Sequence, residues 1–257
     1  METIGFIGGG RVTGIILQAF ENKNFKPERI TVCDPNLATL QKLAERFQDI
    51  KTESELTSLT VESDVLILAV HPPVLMETLS KIKPLLKQGT ILVSLAPKIT
   101  ISKMNSVLNG FCSIARLNPS ATAIINQGIN PVTFSDEMTK ESKEQLLQIL
   151  KILGKVPVVA ESKIEAYAVI NAMGSTYLWF QLQHLKEMAL EYGMDEQEAT
   201  EVISDMTKST IDTLFKSGLT PMEVFDLVPV KPLAEHEDTI RSFYTSKLNA
   251  IYEKIKP

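Results

Sequence analysis

The sequence predicts an α/β fold, with a mostly parallel sheet in residues 1–160 and an all-helical region in residues 161–257. Three observations lead there. An apolar run meets a glycine cluster near the N-terminus and a helical pattern follows at once. Strand-like and helix-like segments then alternate to about Ala160. Beyond Glu161 no convincing strand pattern remains, and a long apolar helical stretch takes over.

The first element is Thr3-Ile4-Gly5-Phe6-Ile7, which runs into Gly8-Gly9-Gly10-Arg11-Val12-Thr13. That order is strand, tight turn, helix, with the helix expected over Val12–Glu21. Gly8 permits the sharp turn. Gly10 lets backbone N–H groups approach a pyrophosphate, and the helix start offers free N–H groups and a positive dipole end. Thr13 occupies the third glycine position of G-x-G-x-x-G, so the match is partial. Ile30-Thr31-Val32-Cys33 reads as the second strand, and Asp34 ends it. An acid at this distance suits the ribose hydroxyls of a dinucleotide; the other reading is a solvated loop Asp before Pro35.

Leu37–Phe47 carries its apolar residues on one helical face. Val65-Leu66-Ile67-Leu68-Ala69-Val70 is a continuous apolar run, as a parallel strand covered on both faces requires. His71-Pro72-Pro73 stops it. Helix over Val74–Leu86, strand over Thr90–Leu95, a short helix over Ile101–Leu108 and strands over Phe111–Leu117 and Asn130–Phe134 follow. Ser142–Leu153 is expected as a helix, and Lys155–Val159 as an edge strand because it contains Pro157.

In the second half, Lys163–Tyr192 is apolar on nearly every side of its middle, through Val169, Tyr177, Trp179, Phe180 and Leu185. A helix of about thirty residues spans roughly 45 Å. One apolar all round must be buried all round, so a partner subunit is expected to cover it. Gly193 is placed to end this helix and Asp195 to cap the next, Glu196–Phe215. Gly218-Leu219-Thr220-Pro221 reads as a stop followed by an N-cap with Pro at N1. Met222–Leu227 is short, Pro229 and Pro232 break the chain, and Glu237–Ile255 is the last helix.

The chain has 257 residues, 44% of them apolar and 22% charged, and a net charge of −5. This balance offers no electrostatic reason to bind nucleic acid or an anionic membrane. No apolar run is long enough to span a bilayer, and a strand beginning at Thr3 leaves no room for a signal peptide. Cys33 and Cys112 sit in apolar segments and read as buried thiols of a reducing, cytoplasmic setting. His71, His184 and His236 are scattered, with no spacing that suggests a metal site.

Along almost its whole length the chain resembles the pyrroline-5-carboxylate reductase family. Ile4-Gly5-Phe6-Ile7-Gly8-Gly9-Gly10 is similar to the family's I-G-F-I-G-x-G, and Ala69-Val70-His71-Pro72 to A-V-K-P. Val93-Ser94-Leu95-Ala96 matches V-S-I-A. Arg116, Pro119 and Gly128 fit R-x-M-P-N-T-P and the Gly beyond it. Gly218 to Val228 resembles E-x-G-x-x-P-x-x-L-x-D-M-V. The resemblance implies a Rossmann domain over 1–160, a helical dimerisation and substrate domain over 161–257, an interlocked homodimer that can assemble further, and hydride transfer from NADH or NADPH to a C=N bond. The departures fall on the substrate side. Asn118-Pro119-Ser120-Ala121-Thr122 stands for M-P-N-T-P, and Asn171 to Tyr177 for S-G-S-G-P-A-Y. Pro229 to Glu235 stands where the family has S-P-G-G-T-T, which holds a substrate carboxylate. The tail is also shorter by about a helix.

The cofactor is expected on Gly8, Gly9, Gly10, Arg11, Val12, Asp34, Ala69, Val70, His71 and Pro72. Asp34, with no cation at Pro35 or Asn36, favours NADH over NADPH. Ser175 and Thr176 are the candidate catalytic hydroxyls, against the alternative that they bond carbonyls of their own helix. Ser120 and Lys231 are candidates for the substrate pocket; Lys231 is alternatively a solvated loop lysine. His71 either touches the ribose or caps the next helix, and Arg116 props either the sheet edge or the pocket floor. Two other functions fit the same fold: a hydroxy- or keto-acid dehydrogenase, and a regulatory dimer that binds dinucleotide without turnover. The first usually needs a Lys or His in the buried part of the interdomain helix, and Lys163, His184 and Lys186 lie outside it.

Overall fold

The computed structural model describes residues 2–111 and 113–257. The expected burial of Cys112, and its place in a strand, lie outside the described residues. By internal contacts the chain forms two compact units, residues 1–173 with 251–257, and residues 174–250.

The first unit is built on β1 (Thr3–Ile7), α1 (Arg11–Asn22), β2 (Arg29–Cys33), α2 (Leu37–Arg46), β3 (Ile50–Glu53), α3 (Ser58–Val61) and β4 (Val65–Leu68). It continues with α4 (Pro72–Ile82), β5 (Ile91–Ser94), α5 (Ile101–Leu108), β6 (Ile114–Leu117), β7 (Gly128–Ile129), β8 (Val132–Phe134), α6 (Lys140–Leu150) and β9 (Gly154–Lys155). The seven-stranded sheet has the order β3-β2-β1-β4-β5-β6-β8. All pairings are parallel except β6 with β8. The strand order reverses direction between β1 and β4, which opens a crevice at the carboxyl ends of these two strands.

Burial follows from strand alternation. Val65 and Ile67 of β4 join the core on one face with Ile4, Phe6 and Val32, while Leu66 and Leu68 join the core on the other with Leu75 and Leu79. The continuous apolar run is therefore a strand covered on both sides, as its sequence required. Cys33 is buried. Its thiol pKa is pushed up to about 11, first by burial and then by the charges of Glu53 and Asp34, so it is an inert thiol at neutral pH.

The structure corrects the sequence reading in three places. β3 lies at the sheet edge in a stretch without the apolar pattern of a strand, because Lys51 and Thr52 face solvent there. The edge strand expected over Lys155–Val159 does not form as such. β9 pairs with β7 in a separate ribbon, and Val158 makes a single bridge to Val132. Pro157 has no N–H to donate, so only its carbonyl pairs, with the Val132 N–H at 3.0 Å.

The third correction concerns Lys163–Tyr192. The chain makes a 3-10 turn at Glu161–Lys163, then α7 (Ile164–Tyr167), a π-helical turn at Ala168–Ala172, and α8 (Gly174–Glu191). The widened turn is closed by the Met173 N–H donating to the Ala168 carbonyl at 3.0 Å. Ile164, Ala168 and Val169 are buried in the first unit. Within the chain α8 is not buried all round: Trp179 is 52% and Phe180 67% exposed.

The second unit holds α8, α9 (Glu196–Lys216), α10 (Pro221–Asp226) and most of α11 (Glu237–Ile255). Its helix ends are those expected from sequence. Gly193 takes φ +96° after α8, where the Met194 N–H reaches the Ala189 carbonyl at 3.1 Å. Asp195 and Thr220 each form a capping box, with Glu198 and Glu223 respectively, and Pro221 stands at N1. Ala189 and Ala199 are buried, whereas Phe215 and Phe243 are well exposed.

Candidate active site

Register brings the site together. Ile7 pairs with Cys33 on one side and with Leu68 on the other. The next residue of each strand, Gly8, Asp34 and Ala69, therefore emerges side by side at the carboxyl edge. Gly8 sits at φ +105°, and a Cβ on it would lie 2.4 Å from the Ala69 carbonyl oxygen. Both the backbone angle and the close approach of β4 demand glycine here. Around Gly10 the opposite holds: a Cβ would meet nothing within 4 Å, so its surface is open.

α1 begins immediately after Gly10 with no side chain capping it. Its first N–H groups remain donors at the mouth of the crevice, the arrangement that holds a pyrophosphate. Thr13 explains the incomplete motif. It is fully buried, and its hydroxyl donates to the Gly8 carbonyl at 2.6 Å, so it braces the turn where a third glycine would give helix and strand room. Arg11 is exposed and Val12 half-buried at the start of the helix.

The Asp34 carboxylate accepts the Gly9 N–H at 2.7 Å through Oδ2 and the Asn36 N–H at 2.8 Å through Oδ1. It is thus a fixed acceptor rather than a free loop acid. Its neighbour across the ladder is Glu53, the partner of Cys33, and both acids raise the Cys33 pKa. Two carboxylates at this end of the crevice oppose a further phosphate there.

Ala69 and Val70 are half-buried at the end of β4, and the Ala69 N–H donates to the Ile7 carbonyl at 2.8 Å. His71 is exposed and occupies the N-cap position of α4, but its side chain makes no capping bond. Its carbonyl instead accepts from Val74 and Leu75, and Pro72 follows at N1. The capping alternative for the His71 ring is therefore excluded.

A cavity of about 190 Å³ lies in the first unit at the carboxyl ends of β5 and β6. Ser94 to Pro97, Arg116 to Asn118, and Ile164, Glu165, Ala168, Ala172, Met173 and Ile255 line it. Arg116 is 1% exposed and is held by Glu165, itself 2% exposed, and by Glu161 at 3.1 Å. Glu165 also accepts the Lys98 N–H at 3.2 Å, and Glu161 the Ile101 N–H at 2.7 Å. Arg116 is thus part of the cavity wall, clamped by Glu161 from the turn before α7 and by Glu165 from α7 itself. Among the described residues, no Lys or His lines the cavity.

Against known proteins, a family model described as NADP oxidoreductase coenzyme F420-dependent matches residues 3–98. A pyrroline-5-carboxylate reductase from Corynebacterium melassecola is 26% identical over 87% of this chain and 84% of its own length. The pyrroline carboxylate reductase of Plasmodium falciparum, solved with NADP bound, superposes with a TM-score of 0.82 at 18% identity, covering 99% of this chain and 97% of that one. Over most of its length the chain is thus similar to pyrroline-5-carboxylate reductases. The 1-pyrroline-5-carboxylate reductase of Streptococcus pyogenes is also similar in structure, with a TM-score of 0.80 at 18% identity over 99% of this chain and 98% of that one.

The expected substrate residues are widely spread. Ser120 is 3% exposed and does not line the cavity. Its hydroxyl accepts the Thr122 N–H at 3.3 Å and lies 2.8 Å from the Thr122 hydroxyl, so it caps the turn at Ala121–Ile125. Ser175 and Thr176 stand in the first turn of α8, and Lys231 is exposed in the loop between α10 and α11. None of these four lines the cavity. Sequence reasoning missed Glu161, Glu165 and the side chain of Asn118. A signal existed for Glu165, a carboxylate amid Ile164, Ala166, Ala168 and Val169, where an apolar face is unbroken except for it.

Proposed function

We propose that this protein is an NAD(P)H-dependent reductase that delivers a hydride to the C=N bond of a small substrate, with NADH the preferred donor. The observation that carries the reading is the joined crevice: the Gly8–Gly10 turn, the uncapped start of α1 and the fixed Asp34 carboxylate at the β1–β4 switch point. On this reading, residues 1–160 are the dinucleotide-binding domain and 161–257 the helical dimerisation and substrate domain.

Gly9, Gly10, Arg11 and Val12 would hold the pyrophosphate through backbone N–H groups, and Asp34 the adenosine ribose. Ala69, Val70, His71 and Pro72 would form the floor along the cofactor. A bound nicotinamide supplies the hydride. The imine carbon accepts it, the C=N electron pair passes to nitrogen, and the product is an amine. A protonated imine needs no acid from the protein, which suits a cavity without Lys or His. Arg116 is already paired with Glu165 and Glu161, so no unpaired cation of the wall opposes a protonated imine. Ser175, Thr176, Ser120 and Lys231 would complete the pocket only if α8 and the loop around Lys231 are brought to a substrate.

The assembly proposed is a homodimer through the C-terminal helices. Its support is the exposed apolar side chains Trp179 and Phe180 on α8 and Phe215 on α9. No helix among the described residues is long and apolar enough to cross a membrane, and we place the enzyme in the cytoplasm.

One screen decides the reaction: oxidation of NADH and NADPH at 340 nm with cyclic imines and with 2-keto acids. Turnover of imines is expected. Turnover of keto acids alone would assign a dehydrogenase instead. Tight NADH binding with no turnover of either class would assign a regulatory dimer, a reading favoured by the absence of S-P-G-G-T-T around Pro229–Glu235.

A further inference from the structure

Buried polar atoms are almost always paired. Among the described residues, two exceptions belong to residues that line the same cavity. Arg116 Nε and Asn118 Nδ2 are both buried donors without a hydrogen-bond partner. They are two residues apart at the end of β6, so strand alternation puts both side chains on one face. The backbone of Asn118 is fixed, its N–H donating to the Pro131 carbonyl at 3.0 Å. The rest of the Arg116 guanidinium is taken by Glu161 and Glu165. Asn118 also stands where the related motif R-x-M-P-N-T-P has Met.

A buried amide donor with no acceptor favours any molecule that brings one. The charge around it decides which. Of the residues lining it, Arg116 and Glu165 cancel in formal charge, and among the described residues no other cation lines the cavity. A carboxylate entering here loses its hydration and finds no unpaired cation in exchange. A neutral carbonyl-type oxygen accepts the same hydrogen bond without that penalty. Apart from Ser94, the remaining side chains of the wall, Ala96, Ile164, Ala168 and Met173 among them, are apolar.

We propose that Asn118 Nδ2 is a specificity-determining donor that hydrogen-bonds a neutral carbonyl-type oxygen of the substrate, and that this cavity selects against a carboxylate at that position. This names a substrate class for the reductase and rests on that reading of the site.

The test uses the intact protein and two lactams that cannot be reduced as imines. They are 2-pyrrolidinone and its 5-carboxylate, which differ only in the charged group. Affinities are measured by calorimetry with and without NADH, and the Asn118 side-chain amide is followed by ¹⁵N–¹H NMR. Its resonance is assigned by its disappearance in Asn118→Leu. The expected result is that 2-pyrrolidinone binds and moves this resonance, and that the carboxylate weakens binding at least tenfold. Asn118→Leu and the isosteric Asn118→Asp should each lose at least tenfold in lactam affinity, about 1.4 kcal/mol, with NADH affinity unchanged. The unchanged NADH affinity guards against a folding defect in either variant. Equal or tighter binding of the carboxylated lactam overturns the proposal. So does a resonance that does not move, or lactam affinity retained in both variants. Failure of NADH and NADPH to bind overturns the reductase reading separately, because the lactam measurements without cofactor still decide the role of Asn118.

Discussion

Replacing Glu165 by alanine should destabilise the protein far more than removal of a surface carboxylate. Glu165 is 2% exposed and bonds the 1% exposed Arg116, and it also accepts the Lys98 N–H. The substitution leaves a buried guanidinium short of one partner and a backbone donor without an acceptor. Breaking one side of a buried pair costs about 3–5 kcal/mol. Glu161 offsets little of this, because its side chain is 32% exposed and its attraction for Arg116 is screened. At about 2–4 °C per kcal/mol for a chain of this size, the melting temperature should fall by roughly 6–20 °C. Differential scanning calorimetry of the intact chain measures it. The double variant Arg116→Met with Glu165→Leu removes both charges and should recover most of the loss, since an apolar pair of similar volume is often neutral or better. A Glu165→Ala melting temperature within 2 °C of the parent, on the scale of that estimate, would show that the clamp is not a structural element and refute the reasoning.

Three further outcomes are expected. Asp34→Ser should narrow or reverse a preference for NADH over NADPH, measured as the ratio of kcat/KM values, and should also raise KM for both because the Gly9 N–H loses its acceptor; tighter NADPH than NADH binding by the parent protein would contradict the assignment. The mass by light scattering at micromolar concentration should be that of a dimer whose interface exceeds about 2,000 Å², and Trp179→Asp should abolish soluble protein; a folded monomer would exclude the assembly. Pyrroline-5-carboxylate should be a poor substrate, with kcat/KM below about 10⁴ M⁻¹s⁻¹. Pro229 to Glu235 offers no substitute for a carboxylate nest whose hydrogen bonds are worth about 1.5–3 kcal/mol each, and ordinary turnover of that compound would refute this.

The parts legible in the sequence were those decided by near neighbours. The Gly8–Gly10 turn, the apolar run of β4, the stop at Gly193 and the caps at Asp195 and Thr220 each depend on residues within one or two turns. Asp34 was legible because its distance from the glycines is set by a single helix and strand. Tertiary structure alone decided the rest. It paired Arg116 with acids 45 and 49 positions later, and placed Asn118 beside them with an unmatched amide. It turned β8 antiparallel, reduced the expected edge strand to one bridge at Val158, and widened the helix at Ala168–Ala172 into a π turn. Periodicity records which face of an element is apolar. It carries no record of which distant side chain arrives at that face, and the chemistry of this cavity depends on those arrivals.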